Sequence, residues 1–341
     1  MNKLTKIGVS ALCGSLASVA ANAGTMEVLG GATATWSSHE GQVTGNSLGM
    51  NSGLTFKGSG ELDNGTTFTL TLTGADQDAY SSGSIAMTTP SMGGVKINQR
   101  SGGTGVDRYD DMMPTAWEET NGTSLGTGLQ TVAGVGTSMN IEWTAPADLL
   151  PDGMSFAIAV APGAATGVAN DKAVGGDSGG VGQGLDFTAA HSGLVDGLNV
   201  FAGMSSIEQA NAATDGNSGD RSQYVWGATY AVGSVTVGYQ ESRDNLQRNA
   251  VGATNSFYEN QAYGISFNVN DDLSLSYGMH KSENNLNSGA SVELEAESLQ
   301  IAYSMGGMSV KFAESSVDNA SYTSGTSADW DGRTIALTLA F

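Results

Sequence analysis

The stretch Thr67-Phe68-Thr69-Leu70-Thr71-Leu72-Thr73 decides the fold, because three apolar side chains alternate strictly with four threonines. In an extended strand, successive side chains point to opposite faces of the sheet. One face of this strand is therefore apolar, and the other carries only hydroxyl groups. The segment predicts a β-strand whose two faces meet two different environments.

The same period of two recurs from Leu54 to the C-terminal Phe341, and no segment shows a convincing helical period. Short connections such as Asp63-Asn64-Gly65 have the composition of hairpin turns, whereas other connections, such as 163–183 and 317–329, are long and polar. Tight turns at one rim and long loops at the other predict an up-and-down antiparallel sheet. Sixteen strands are expected, beginning near residues 25, 51, 66, 82, 93, 134, 153, 184, 197, 222, 233, 259, 272, 294, 307 and 330.

An even number of roughly ten-residue strands, each with one apolar and one polar face, fits a closed barrel in a bilayer. The apolar face would point to lipid, and the hydroxyl-rich face would line a lumen that about sixteen strands leave open to water. The predicted fold class is therefore all-β, a transmembrane antiparallel up-and-down barrel of about 16 strands. Aromatic residues near the predicted strand ends fit an interfacial belt: Trp36, Trp143, Trp226, Tyr224, Tyr230 and Tyr277.

The first 23 residues have the layout of a secretory signal. Lys3 and Lys6 precede a largely apolar run over 7–21, and the small-residue sequence Ala21-Asn22-Ala23 follows. This pattern predicts cleavage before Gly24, which leaves residues 24–341 as a single barrel domain exported to the outer membrane of a Gram-negative bacterium. Cys13, the only cysteine, lies inside the signal, so the mature protein is expected to have none.

The net charge restricts the possible partners. Cleavage of the signal removes Lys3 and Lys6, so the mature chain keeps 11 of the 13 basic residues and all 34 acidic ones. Its formal charge is therefore −23. Such an acidic chain is unsuited to nucleic acid, and it favours cations and small hydrophilic solutes instead. His39 and His280 are isolated and show no metal-ligand spacing, so no cofactor is expected.

One connection breaks the pattern, because about 30 residues, 102–133, separate the fifth and sixth predicted strands. A loop this long is usually functional or disordered. Its acidic residues could form a pore constriction or only a solvated surface, and Asp107, Asp110 and Asp111 could also hold Ca²⁺ with backbone oxygens. The charged candidates for the constriction are Asp107, Arg108, Asp110, Asp111, Glu118 and Glu119.

Four features of the chain together resemble the Gram-negative general porin family, especially its alphaproteobacterial type. They are this acidic loop, the Ala21-Asn22-Ala23 cleavage site, the start 26–31 and the closing strand 334–341. The resemblance covers the whole chain and rests on layout, and the terminal Phe341 is its most specific feature. It implies that the third long loop folds into the barrel and narrows the pore, and that Phe341 is read by the barrel-assembly machinery. It also implies a homotrimer embedded in outer-membrane lipid and lipopolysaccharide.

The basic candidates for the pore wall are Lys57, Lys96, Arg100 and Lys311. Each falls on the polar parity of its strand, and each would cost a few kcal/mol if it faced lipid. Set against the acidic loop, they would create a transverse field that selects small polar solutes. Arg333 has the outward parity and is expected at a rim. The predicted function is a cation-preferring diffusion channel without enzymatic activity.

Two other classes of function stay open at this point. An outer-membrane barrel enzyme needs Ser, His and Asp or Asn on neighbouring strands, and the protease-like fragments 176–180 and 188–191 come in the wrong order for that family. A secreted β-solenoid or adhesin needs a strict internal repeat of about 20 to 30 residues, which this chain lacks.

Overall fold

The computed structural model describes residues 24–41, 45–76, 78–120, 125–164, 181–209, 217–248 and 255–341. They form one closed antiparallel barrel in which each strand pairs with its neighbours in sequence and β1 pairs with β16. The predicted count of sixteen strands is confirmed, and the closed topology excludes a solenoid. Within the described ranges, no helix is both long and apolar enough to cross a membrane.

The strands run as follows: β1 Thr25–Glu40, β2 Leu48–Glu61, β3 Thr67–Ala75, β4 Asp78–Thr89, β5 Gly93–Gln99, β6 Asn140–Thr144, β7 Met154–Ala161, β8 Val181–Ser192, β9 Leu198–Gln209, β10 Arg221–Val232, β11 Val235–Asn245, β12 Asn255–Asn268, β13 Leu273–Leu286, β14 Val292–Met305, β15 Met308–Asp318 and β16 Trp330–Ala340.

The barrel closes where the first strand meets the last. Gly30 and the terminal Phe341 exchange two backbone hydrogen bonds, of 3.1 and 2.9 Å. The Phe341 ring lies over Gly30, where a Cβ atom would come within 2.6 Å of the ring. Because β1 and β16 pair along ten residues, the sheet has no free edge.

The outer face carries the apolar residues of the alternating pattern. Leu70 is 41% exposed, and Ile335, Leu337 and Leu339 on β16 are similarly open. An aromatic row crosses β10 to β12, where ring centroids lie 5.7 Å apart for Trp226 and Tyr239 and 5.1 Å apart for Tyr239 and Tyr263. Exposed apolar surface on this scale suits lipid and not water.

The inner face carries the hydroxyl groups. The Thr33 and Thr338 hydroxyls are 2.9 Å apart across the closing pair, and those of Thr55 and Thr73 are 3.1 Å apart across β2 and β3. Hydroxyl groups can bond to one another and to water, so this wall suits an aqueous lumen.

Three strands begin four or more residues from their predicted positions: β4, β6 and β12, of which β12 was expected near residue 259 but begins at Asn255. β4 was expected near residue 82 but begins at Asp78, because a tight turn closes the β3–β4 connection. Asp76 adopts a left-handed φ of 53° there, and its carboxylate accepts a 2.9 Å bond from the Ser52 amide. β6 was expected near residue 134 but begins at Asn140, because residues 134–139 bond to the barrel interior. The signal segment 1–23 and residues 165–180, 210–216 and 249–254 of the long loops lie outside the described residues.

The two faces of β3 give the first testable prediction. Leu70→Lys places a charge on the outer face near the middle of the strand, and we expect it to lower the free energy of unfolding in lipid vesicles by about 2–4 kcal/mol. The matched variant Thr71→Lys puts the same charge in the lumen and should cost far less. Urea titration of both variants measures the difference, and equal losses would contradict the assignment of the two faces.

Candidate pore constriction

Loop 3, residues 100–139 between β5 and β6, folds into the barrel, as the resemblance implied. Its outgoing part begins with a 3-10 helix, Gly105–Tyr109, and runs along the inner wall of β8, β11, β13 and β14. Its returning part passes β10 and comes back to β8 before β6 begins. Residues 121–124 of the loop lie outside the described part of the chain.

Asp186 on β8 joins both parts of loop 3. This fully buried carboxylate accepts bonds from the backbone amides of Val106, at 2.9 Å, and Val135, at 3.0 Å. The adjacent Gly105 and Gly134 have left-handed φ values of 58° and 48°, and a Cβ at either would lie 2.1 Å from the carboxylate. Only glycine lets the backbone approach Asp186 so closely.

An apolar contact fixes the base of the loop. Val106, Tyr109 and Val132 of loop 3 pack against Phe201 on β9 and Val225 on β10, all of them buried. The Tyr109 and Phe201 ring centroids are 4.9 Å apart. The inward apolar side chains of Phe201 and Val225 therefore pack against loop 3 and are not part of a continuous hydrophobic core of the barrel.

Gln240 on β11 holds the segment that carries Asp110 and Asp111. Its side-chain oxygen accepts a 3.0 Å bond from the Met112 amide, and its nitrogen donates 2.9 Å bonds to the carbonyls of Tyr109 and Asp110. Gly238 and Gly264 make room beside it, because a Cβ at either would come within 3 Å of Pro114. One wall amide thus satisfies three backbone groups of the loop.

Gln300 on β14 repeats this arrangement for the segment that carries Glu118. Its side-chain oxygen accepts bonds from the amides of Trp117, at 3.0 Å, and Glu118, at 3.1 Å, and its nitrogen donates to the Glu118 carbonyl at 2.9 Å. Ser276 on β13 accepts a 2.8 Å bond from the Ala116 amide. We call Gln240 and Gln300 the amide clasp, because they bind the loop through its backbone and not through its acidic side chains.

The returning part is held by Gln223 and by the β15–β16 loop, residues 319–329. Gln223 on β10 accepts bonds from the Ala133 amide, at 3.1 Å, and the Gly134 amide, at 2.6 Å. The Tyr322 hydroxyl accepts a 2.9 Å bond from the Gln130 amide. Loop 3 is therefore attached at several points between β8 and the β15–β16 loop.

The clasp brings five carboxylates together, which we call the acidic cluster: Asp107, Asp110, Asp111, Glu118 and Glu119. Burial, then the charges of Asp107 and Asp111, raises the pKa of Asp110 to about 6. Burial, then the charges of the other four carboxylates, raises the pKa of Glu119 to about 7. Burial also raises the pKa of Asp107 and of Asp111. As the pH falls, Glu119 and Asp110 therefore lose their negative charge at about pH 7 and about pH 6, well above the usual carboxylate range.

Arg108 is placed differently from its five acidic neighbours. Its guanidinium bonds to the carboxylate of Glu142 on β6, which also accepts a 2.8 Å bond from the Gly105 amide. Lys96 on β5 lies directly opposite Glu142 in the strand register. Glu142 thus pairs with Arg108 and faces Lys96 across the β5–β6 strand pair.

The other basic candidates lie apart from one another. Lys57 on β2 lies 3.9 Å from Glu27, and Lys311 on β15 lies 5.7 Å from the centre of the Trp117 ring of loop 3. The alternation that predicted an inward Arg100 stops at Gln99, and Arg100 is an exposed loop residue with a left-handed φ of 55°. Arg333 points outward, as expected, and pairs with Glu314 at 2.8 Å.

Loop 3 bonds to Asn98 on β5 and to Glu142 on β6, and its other contacts follow β8 to the β15–β16 loop. The inner face of β1 to β4 is therefore left as the opposite side of the lumen. That face is lined mainly by hydroxyl groups, such as those of Thr33, Thr55 and Thr73, with Lys57 among them. Loop 3 therefore places the acidic cluster across the lumen from a hydroxyl-rich wall.

The sequence also raised a metal site and a serine-protease fragment. Within the described ranges, no three His, Cys, Asp or Glu residues are placed so that they could hold a metal ion. The protease-like fragment 176–180 lies outside the described residues, and His191 lies on β8.

Comparisons with known proteins support the fold. No family model and no curated protein matches the chain. Among solved structures, OmpF of Salmonella typhi aligns with a TM-score of 0.68 and 18% identity, covering 93% of this chain and 97% of the other. A loop L8 deletion mutant of OmpT, an outer membrane protein of Vibrio cholerae, aligns at 0.65 and 13%, covering 94% and 100%. The anion-selective porin of Comamonas acidovorans aligns at 0.64 and 13%, also covering 94% and 100%. The chain therefore has the sixteen-stranded fold of porins.

The amide clasp gives a prediction about the opening. The double variant Gln240→Leu/Gln300→Leu removes six hydrogen bonds to loop backbone, each worth about 1 kcal/mol, so the acidic segment should move off the wall. We expect an altered single-channel conductance and a noisier open-channel current in planar bilayers. The control is Gln261→Leu, which changes an outward amide on β12. Currents from the double variant that match those of the control would rule out a positioning role for the clasp.

Proposed function

We propose that this chain is an outer-membrane general porin of the alphaproteobacterial type, which passes small hydrophilic solutes and ions by passive diffusion and prefers cations. The observation that carries the proposal is the acidic cluster, because the amide clasp holds it inside a barrel whose outer face is apolar. The proposal assigns no covalent chemistry to the chain. Solute passage needs only an open lumen, a polar wall and a constriction.

The preference for cations follows from the charges of this chain, since an anion-selective porin shares the fold. The acidic cluster brings five carboxylates to the constriction, whereas Arg108 is bonded to Glu142 and Lys57 lies near Glu27. The basic side of the constriction is therefore partly neutralised, whereas the acidic side keeps its charge above about pH 7. A ring or cluster of carboxylates favours cations in a pore.

The outer surface fits a homotrimer in a bilayer. The aromatic row of β10 to β12 suits the lipid interface. The outward residues of β1 include Val28, Gly30, Ala32 and Ala34, a flatter surface on which a second copy can pack closely. Phe341 is 80% exposed at the end of β16, where the barrel-assembly machinery could reach it.

Reconstitution into planar bilayers tests this function and its dependence on pH. At pH 8 Asp110 and Glu119 are ionised, so the reversal potential in a salt gradient should show a preference for cations. Lowering the pH through about 7 and then about 6 protonates Glu119 and then Asp110. The negative charge of the constriction falls with protonation, so the cation preference should weaken well above the usual carboxylate range near pH 4.

The control for this titration is the double variant Asp110→Asn/Glu119→Gln. It should show a weaker cation preference at pH 8 and little change between pH 8 and pH 5. Complete absence of conductance would remove the channel proposal. Conductance with the same selectivity at both pH values in the unmodified protein would show that the acidic cluster does not border the conducting path.

A further inference from the structure

A pocket of about 480 Å³ opens at the rim of long loops, where loop 3 meets the β15–β16 loop. Small-molecule sites commonly have volumes of about 300 to 1,000 Å³, so the pocket has a suitable size. It is separate from the acidic cluster, and its lining consists of Gly128, Gln130, Asn255, Tyr258, Asn284, Leu286, Val292, Ser321 and Tyr322.

Two tyrosines and two asparagines form the pocket wall. The rings of Tyr258 and Tyr322 are 5.1 Å apart, and the Tyr258 hydroxyl accepts a 2.8 Å bond from Asn255, which in turn accepts a 3.1 Å bond from Asn284. The side-chain oxygen of Asn284 is buried and has no hydrogen-bond partner among the described residues. A buried acceptor without a partner is unusual and calls for a donor, such as a ligand hydroxyl.

Tyr322 lies in this pocket with a backbone conformation that tyrosine rarely adopts. Asn319, Ser321 and Tyr322 have φ values of 55°, 53° and 56°, in the left-handed region that bulky residues rarely adopt. The Tyr322 hydroxyl is fixed by the Gln130 amide and by the Ser282 hydroxyl, which lies at 2.7 Å. Strained backbone held by specific contacts is typical of functional sites.

The lining identifies the ligand class. Every lining residue is uncharged, although the chain carries a formal charge of −21, so the pocket does not select an ion. Aromatic rings offer a flat apolar face, and amides offer donors and acceptors to hydroxyl groups. We propose that this pocket is a binding subsite for neutral sugars, which solutes meet before they reach the constriction. The place of the subsite on a transport route rests on the proposed function, whereas binding itself does not.

The test measures binding and current with one probe, maltotriose. Calorimetry on the folded full chain in detergent should show saturable binding. In planar bilayers, maltotriose should cause brief, concentration-dependent interruptions of the ion current. Glucose and glucuronate have the same ring size and differ in charge, and the neutral sugar should bind at least as tightly as the charged one.

Two variants at Tyr322 distinguish the contribution of its aromatic ring to sugar binding from that of its hydroxyl bonds to Gln130 and Ser282. Tyr322→Phe and Tyr322→Leu both lose the hydroxyl bonds to Gln130 and Ser282, but only Tyr322→Leu loses the aromatic face. We expect maltotriose to bind about threefold to tenfold more weakly to Tyr322→Leu than to Tyr322→Phe. Asn284→Leu keeps the number of side-chain heavy atoms but removes the unpartnered oxygen and the nitrogen that donates to Asn255, so it should weaken binding about fivefold.

Three results would overturn the subsite: no heat and no current interruption with maltotriose, equal affinities of the two Tyr322 variants, or tighter binding of glucuronate than of glucose. The outcomes for the subsite and for the channel are separable. Sugar binding in detergent without any conductance would remove the channel and keep the subsite, and conductance without sugar binding would do the reverse.

Discussion

The structure depends on one constraint, that backbone amides and carbonyls in apolar surroundings must bond to each other. A sheet can meet it only by closing, and the pairing of β1 with β16, completed by the bonds between Gly30 and Phe341, provides the closure. A closed sheet has one outer and one inner face, so the period of two along each strand becomes a division between apolar exterior and polar lumen.

The polar inner face makes the constriction possible. The backbone of loop 3 would have to be hydrated inside the lumen if it had no partners on the wall. It bonds instead to the side chains of Gln240, Gln300 and Asp186. Because these wall residues bind loop backbone, the acidic side chains of the loop are not used for its attachment to the wall. Burial, together with repulsion among the carboxylates of the acidic cluster, raises the pKa of Asp110 and of Glu119.

The sequence predicted the sixteen strands because the period of two is local and repeats in every strand. It placed the start of β6 too early because residues 134–139 follow the tertiary contacts of Asp186 and Gln223, which no local pattern records. The acidic residues of loop 3 could be named from composition and loop length. The wall residues that hold the loop could not, because an inward glutamine on β11 or β14 looks like any other lumen-facing polar residue until its partner is known.

Accessibility of single cysteines along β3 tests the division of the two faces most directly. In a chain with Cys13→Ser, positions 67–73 are replaced by cysteine one at a time, the protein is reconstituted in lipid vesicles, and a water-soluble thiol reagent is applied. The account predicts rapid labelling at the four threonine positions and slow labelling at the three apolar ones. Uniform labelling, or rapid labelling at positions 68, 70 and 72, would contradict it.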